Sequence, residues 1–403
     1  MAGKEQPTNK WIVLAMITAI LTGAIGIPFV AMPVLFSSIN KELNLTLAQT
    51  GMVWGALPVG VALFSLPGGL LGDRFGFHKI IGVGCFIIAL TNAFRGITND
   101  AITLTIAMLL CGISLAAVVP NLPKVASLYF PPRQLGLALG ILNAGFSLGG
   151  ILATALGAIV ILPLVGSWRN VLFSYSAICV VLGIGWFSVV SKKEPSQTAE
   201  DTEVTVGRVS FRESFGAIVR VKDMWLLIIV NLMLVGSFIA MLGYLPIYLE
   251  NTGMTKSAGD TVTSTIFIAG MLGTIVIPAL SDRIGARKIT VIVCVGVTVI
   301  CTYLISLSVG VSLWLLIPLI GFAVQSAIAL FFAIILEMKE IGPIYGGSAI
   351  GILIAGQNVG GFLLPIIGGN LAELNQSWPF AFWAILIFVT IPCLFLVRET
   401  GRK

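Results

Sequence analysis

Gly136-Leu-Ala-Leu-Gly140-Ile-Leu-Asn-Ala-Gly145-Phe-Ser-Leu-Gly149-Gly150 and Gly347-Ser-Ala-Ile-Gly351-Ile-Leu-Ile-Ala-Gly356-Gln-Asn-Val-Gly360-Gly361 are two copies of one pattern, with nine positions coinciding at a constant offset. Three shorter matches recur in the same order at nearly that offset. Leu71-Gly-Asp73-Arg74-Phe-Gly76 returns as Leu280-Ser-Asp282-Arg283-Ile-Gly285, Ser167-Trp168 as Ser377-Trp378, and Met32-Pro33 as Leu245-Pro246. Low complexity can produce one glycine-rich coincidence, but an ordered series at half the chain length marks a duplicated unit.

The repeat is set in apolar sequence. Of 403 residues, 57% are hydrophobic and 10% charged, and the mean hydropathy is +1.05. Soluble domains carry about 25% charged residues, so lipid is the solvent for much of this surface. A spanning helix needs roughly 20 apolar residues. The apolar runs place spans at 11–39, 49–71, 80–98, 101–129, 135–164, 168–190, 224–249, 258–280, 289–308, 311–337, 345–370 and 377–397. The first run is too long for the core of a cleaved signal. The expected architecture is therefore an all-α membrane protein of twelve transmembrane helices in two pseudo-symmetric halves. The N-terminal six-helix half covers 1–190, a polar linker 191–223, and the C-terminal half 224–403. Within the linker, Phe211 to Val221 reads as an amphipathic surface helix, and Gln197 to Thr205 as a flexible stretch.

With the N-terminus inside, 19 of the 23 Lys and Arg fall on the inner side, and Lys41, Arg95, Arg169 and Lys256 on the outer. The excess of inner basic residues places both termini and the linker in the cytosol of a cell (inner) membrane. The net charge of +6 forms no basic face with interleaved aromatics, so nucleic acid is excluded as a partner. All six cysteines lie in apolar runs without a C-x-x-C pair and read as packed, reduced thiols. The single histidine, His78, stands in a loop. With neither a metal-ligand cluster nor a phosphate-cradling motif, the sequence implies no cofactor, no metal and no enzyme.

Gly69-Leu-Leu-Gly-Asp73-Arg74-Phe-Gly76 resembles the cytoplasmic loop signature of the major facilitator superfamily, G-x-x-x-D-R-x-G followed by basic residues. The second copy keeps Asp282, Arg283, Gly285, Arg287 and Lys288, with Pro278 at its first glycine position. The resemblance covers essentially the whole chain. It implies that Asp73, Arg74, Gly76, Asp282, Arg283 and Gly285 form an inner gate. A carboxylate at such a turn favours a neighbouring helix N-terminus, glycine permits the turn, and Arg74 and Arg283 can pair with Glu337 or Glu340. Two departures count against drug/proton antiport. Met108 stands where the family's fourth helix often carries arginine, and the fifth span lacks the antiporters' proline.

Ionisable groups are costly in a bilayer and therefore mark candidate sites. The acids fall in loops or near span ends, so no central carboxylate offers a proton relay. Lys124, in Pro120-Asn121-Leu-Pro123-Lys124, is either an inner-cavity ligand for an anion or a lysine snorkelling to the headgroups. Arg95 lies in a span that is peripheral in the family and reads as an anchor or structural pair. The uncharged candidates are Asn121, Asn143, Gln325, Gln357, Asn358 and Tyr244, with Asn231, Trp54 and Phe29 beside them. For the amides, interhelical hydrogen bonding is the competing use. Because they are adjacent on one helix, Gln357 and Asn358 point about 100° apart, so one faces the cavity and the other packs.

These features describe a secondary active transporter, expected to be a monomer in the bilayer. It would carry a small organic anion, with or without a coupling ion, by alternating access. The segment from Asn121 to Pro131 resembles the anion/cation symporter and cyanate-type branches of the family. A carrier of a neutral solute and a non-transporting sensor of the same fold are the alternatives.

Overall fold

The computed structural model describes residues 9–156, 161–190, 211–308 and 310–400. Among them, twelve helices are long and apolar enough to span a membrane. They are α1 (Lys10–Leu43), α2 (Leu47–Phe75), α3 (Phe77–Gly96), α4 (Ala101–Tyr129), α5 (Pro132–Leu156), α6 (Trp168–Val189), α7 (Lys222–Asn251), α8 (Lys256–Ile284), α9 (Arg287–Leu307), α10 (Leu313–Glu337), α11 (Gly342–Leu374) and α12 (Trp378–Leu396). A short helix, Phe211–Val219, precedes α7 where the amphipathic helix was expected; the stretch 197–205 lies outside the described residues. The chain is thus an all-α, multi-pass integral membrane protein.

Local chemistry explains the irregularities. α1 passes through a π-helical turn, Leu21–Gly26. Pro28 lacks the N–H that an α-helix would aim four residues back, and the Thr22 hydroxyl bonds both Thr18 O and Gly145 O, each at 2.9 Å. α4 is interrupted at Val119–Pro120 and resumes as Asn121–Tyr129. α5, expected to run to 164, ends as a described helix at Leu156. Gly76 and Gly285, the turn residues of the repeated loop, both take positive φ, +86° and +70°. Side chains are disfavoured in that conformation.

The chain divides into two compact units: Met1–Leu43 with Val59–Val204, and Asn44–Pro58 with Thr205–Lys403. In the first unit, α1 and α5 approach through glycine, and a Cβ on Gly149 would lie 2.8 Å from the Gly26 Cα. In the second unit α7 and α11 meet in the same way, a Cβ on Gly236 falling 2.7 Å from the Gly360 Cα. Gly149 and Gly360 are equivalent positions of the sequence repeat. The duplicated pattern is therefore a duplicated close approach of backbones, the packing small residues provide inside membranes. Residues 44–58, the first part of α2, pack within the second unit. Trp54 Nε1 donates to Ile239 O at 2.7 Å, and the Ala48 N–H to Glu373 Oε1 at 3.0 Å.

Candidate functional site

The repeated loop is most completely described in the second unit. α8 ends at Ile284, Gly285 turns the chain, and Arg287 opens α9. The Arg287 guanidinium pairs with Asp282 and reaches Glu337 Oε1 on α10 at 2.9 Å. Near it, Glu340 bonds Arg398 at 2.6 Å, and Arg398 also reaches the buried Asp223 carboxylate at 3.5 Å. Sequence had offered Glu337 and Glu340 to Arg74 or Arg283. The turn at Gly285 instead brings Arg287 to Glu337, Glu340 pairs with Arg398, and Arg283 is exposed. In the first copy Arg74 is exposed and rests over the Phe75 ring at 5.4 Å. The side chain of Asp73 lies outside the described residues.

The polar candidates separate by partner. Asn121 is fully buried and spends its amide N–H groups on Gly68 O of α2 at 3.0 Å and Ala117 O at 2.8 Å. It fastens the α4 break to α2. Lys124, on the same segment, is half-buried, with Nζ 5.8 Å from the Phe77 ring centroid. Asn143 is exposed on α5. Gln325 of α10 lies over Gly270 of α8, whose missing Cβ would meet its Cγ at 2.7 Å. Half-buried Gln357 accepts from Asn231 Nδ2 of α7 at 3.3 Å, whereas buried Asn358 turns back to Ile354 O at 2.8 Å. Tyr244 is buried, donates to Gln376 O at 3.1 Å and packs against Tyr248, Phe380 and Trp383. The structure brings Tyr244 and Trp54, distant in sequence, to one small cavity in the second unit, with Thr50, Gly243 and Trp383.

Two buried charges stand out that sequence position undervalued. Asp260, in the second turn of α8, is 2% exposed, and its Oδ2 has no hydrogen-bond partner among the described residues. Arg95 of α3 is 0% exposed. It donates to Pro28 O of α1 at 3.1 Å, to Met108 Sδ of α4 at 3.6 Å and to Asn92 Oδ1 on its own helix. Its Nε is buried without a partner. The one sequence signal for Arg95 was an arginine inside an apolar run, and single-helix periodicity cannot show that α1, α4 and α6 enclose it.

Among the described residues no group of three or more His, Cys, Asp or Glu is placed to hold a metal ion. The polar candidates are buried or half-buried amides, aromatic side chains and isolated charges, described within each unit.

Comparison with known proteins fits that description. The hexuronate transporter of Bacillus subtilis is 22% identical, over 91% of this chain and 89% of its own. A probable sulfoacetate transporter of Cupriavidus necator is 22% identical, over 85% and 83%. A bacterial homologue of the human lysosomal transporter Spinster, solved in an inward-facing and occupied conformation, superposes with a TM-score of 0.74 at 15% identity, covering 97% of each chain. The family model described as Major Facilitator Superfamily matches residues 12–346. With twelve spans, the duplicated loop and this match across most of its length, the chain belongs to the Major Facilitator Superfamily.

Proposed function

We propose that this protein is a secondary active transporter of a small organic anion, a carboxylate or sulfonate with a polar body. The carrying observation is that two relatives, each matching more than four-fifths of this chain, are named for such anions: a hexuronate and sulfoacetate. Two basic groups of the spans support the reading: Arg95, buried against α1 and α4, and Lys124, half-buried on α4. The buried amide of Asn231 and the half-buried one of Gln357 add neutral hydrogen-bonding capacity.

The working cycle is alternating access, with the halves 1–190 and 224–403 rocking about the linker 191–223. The loops at Asp73 and Asp282 act as the inner gate, and the Asp282–Arg287–Glu337 group is the charge network of the second. The termini lie in the cytosol of the cell membrane, and the carrier works as a monomer. An anion entering a negative cytosol alone is opposed by about 2.3 kcal/mol per 100 mV, so uptake requires a co-ion, exchange or a steep gradient.

The test is uptake into liposomes containing the purified protein. D-glucuronate, sulfoacetate and gallate are offered beside D-glucose and L-alanine as neutral controls. Saturable uptake of at least one anion, with none of the neutral solutes, is expected. Uptake of a neutral solute with none of the anions overturns the reading.

A further inference from the structure

Arginine stays charged under all physiological conditions, so burial cannot be relieved by losing a proton. Arg95, next to the last residue of α3, is nonetheless 0% exposed. Its partners are a backbone carbonyl, a thioether and an amide oxygen, all neutral. Among the described residues no carboxylate forms an ion pair with it, and its buried Nε–H has no hydrogen-bond acceptor. The contrast with Arg169 is direct, because that outer arginine has the Glu42 carboxylate at 3.0 Å. A buried charge lacking a counter-charge is expensive and marks a functional candidate.

The surroundings fit an arriving anion. The free Nε–H and the Nη beside it form the edge on which a carboxylate binds through both oxygens. The carbonyl that holds Arg95 belongs to Pro28, two residues beyond the π-helical turn Leu21–Gly26 of α1. Such turns are local departures from the α ladder and often lie at functional sites. The adjacent Phe29 is only half-buried. Arg95 therefore stands directly behind the most irregular part of α1.

We propose that Arg95 is the cation that binds the acid group of the transported anion, reached through the α1 wall at Pro28–Phe29. The inference rests on the anion reading above and names its charge-binding residue, displacing Lys124 from that role. Met108, against which the Arg95 head rests, supplies a control: the guanidinium can be moved to α4 while keeping its place in the bundle.

Apparent affinities for D-glucuronate (one charge) and sulfoacetate (two) are measured by uptake competition and ligand-induced thermal shift for wild type, Arg95→Met, Arg95→Lys and the exchange Arg95→Met/Met108→Arg. Arg95→Met should weaken D-glucuronate by about tenfold, equivalent to about 1.4 kcal/mol, and sulfoacetate by more. Arg95→Lys should keep part of the affinity, and the exchange should return it to within about threefold of wild type. A merely structural clamp would lower thermal stability while leaving the ratio of the two affinities unchanged. That result, in any folded variant, overturns the proposal. If Arg95→Met does not fold, the lysine variant and the exchange decide by the same ratio. A wild type that moves neither anion defeats the substrate reading itself, whereas a wild type that moves them with Arg95→Met unaffected defeats only the assignment to Arg95.

Discussion

Arg287 and Arg95 are both buried arginines near the ends of spanning helices, and they have opposite company. Arg287 sits between Asp282 and Glu337, so its charge is matched within the fold. Arg95 has neutral partners and an idle Nε. A matched charge fixes structure: it joins the Gly285 turn to α10. An unmatched one stores an unmet demand for an anion. A buried carboxyl such as Asp260 has protonation as a way out, but a guanidinium has none.

The strongest way to break the contrast is to give Arg95 an acid of its own. Met108→Glu places a carboxylate where Sδ now lies, 3.6 Å from Nη1. It should occupy the substrate's place and weaken D-glucuronate by on the order of a hundredfold, with thermal stability held or raised. Undiminished uptake by Met108→Glu would show that the guanidinium is not where the anion binds.

The converse change removes the match at Arg287. Arg287→Gln leaves Asp282 and Glu337 facing each other without a cation. Both acids are partly exposed, at 61% and 32%, so the loss is about 1–2 kcal/mol rather than the larger cost of a fully buried break. Thermal unfolding in detergent measures it, and an unchanged midpoint would mean that the network adds nothing.

Asn121→Ala tests whether that residue belongs with the fastenings or with the ligands. It strips donors from the Gly68 and Ala117 carbonyls and should cost about 1–3 kcal/mol of stability. The mono- and dianion affinities should fall together if at all; a change in their ratio would assign it to the substrate instead.

The smallest effect is at the inner edge. Glu340 is held below the ordinary carboxylate range by its own backbone amide and by Arg398. A depressed folded-state value contributes stability that is present above the unfolded value and lost as pH falls through the folded one. Arg398 is in turn held up by Glu340 and Asp223. The gap in melting temperature between wild type and Glu340→Gln should therefore be small at neutral pH and close in acid. A gap that persists at low pH would deny the ionic origin.

The fold was legible because the repeat and the packing are one fact. The glycines that coincide in sequence at 149 and 360 are those that let α5 and α11 close on α1 and α7. Span positions followed from the apolar runs, whereas the π-helical turn of α1 and the break of α4 lay inside runs read as continuous spans. The site was less legible because partnership is non-local. Asn121 and Asn358 could be read from sequence as ligands or as interhelical hydrogen-bonders, and only the fold shows that each donates to backbone carbonyls, Asn121 to one on another helix. Arg283 rather than Arg287 looked like the partner of Glu337 until the Gly285 turn was placed. Arg95 read as an anchor or structural pair, since nothing along α3 reveals which groups of α1 and α4 meet it.

The most direct test of the account is uptake of D-glucuronate and of D-glucose into liposomes containing wild-type protein or Arg95→Met, with and without the same solute preloaded inside. The account predicts saturable D-glucuronate entry that preloading accelerates, as carrier exchange requires, no specific D-glucose entry, and a rise of about tenfold or more in the half-saturating D-glucuronate concentration for Arg95→Met. Specific D-glucose entry without D-glucuronate entry, or ligand binding with no flux of either, would contradict it.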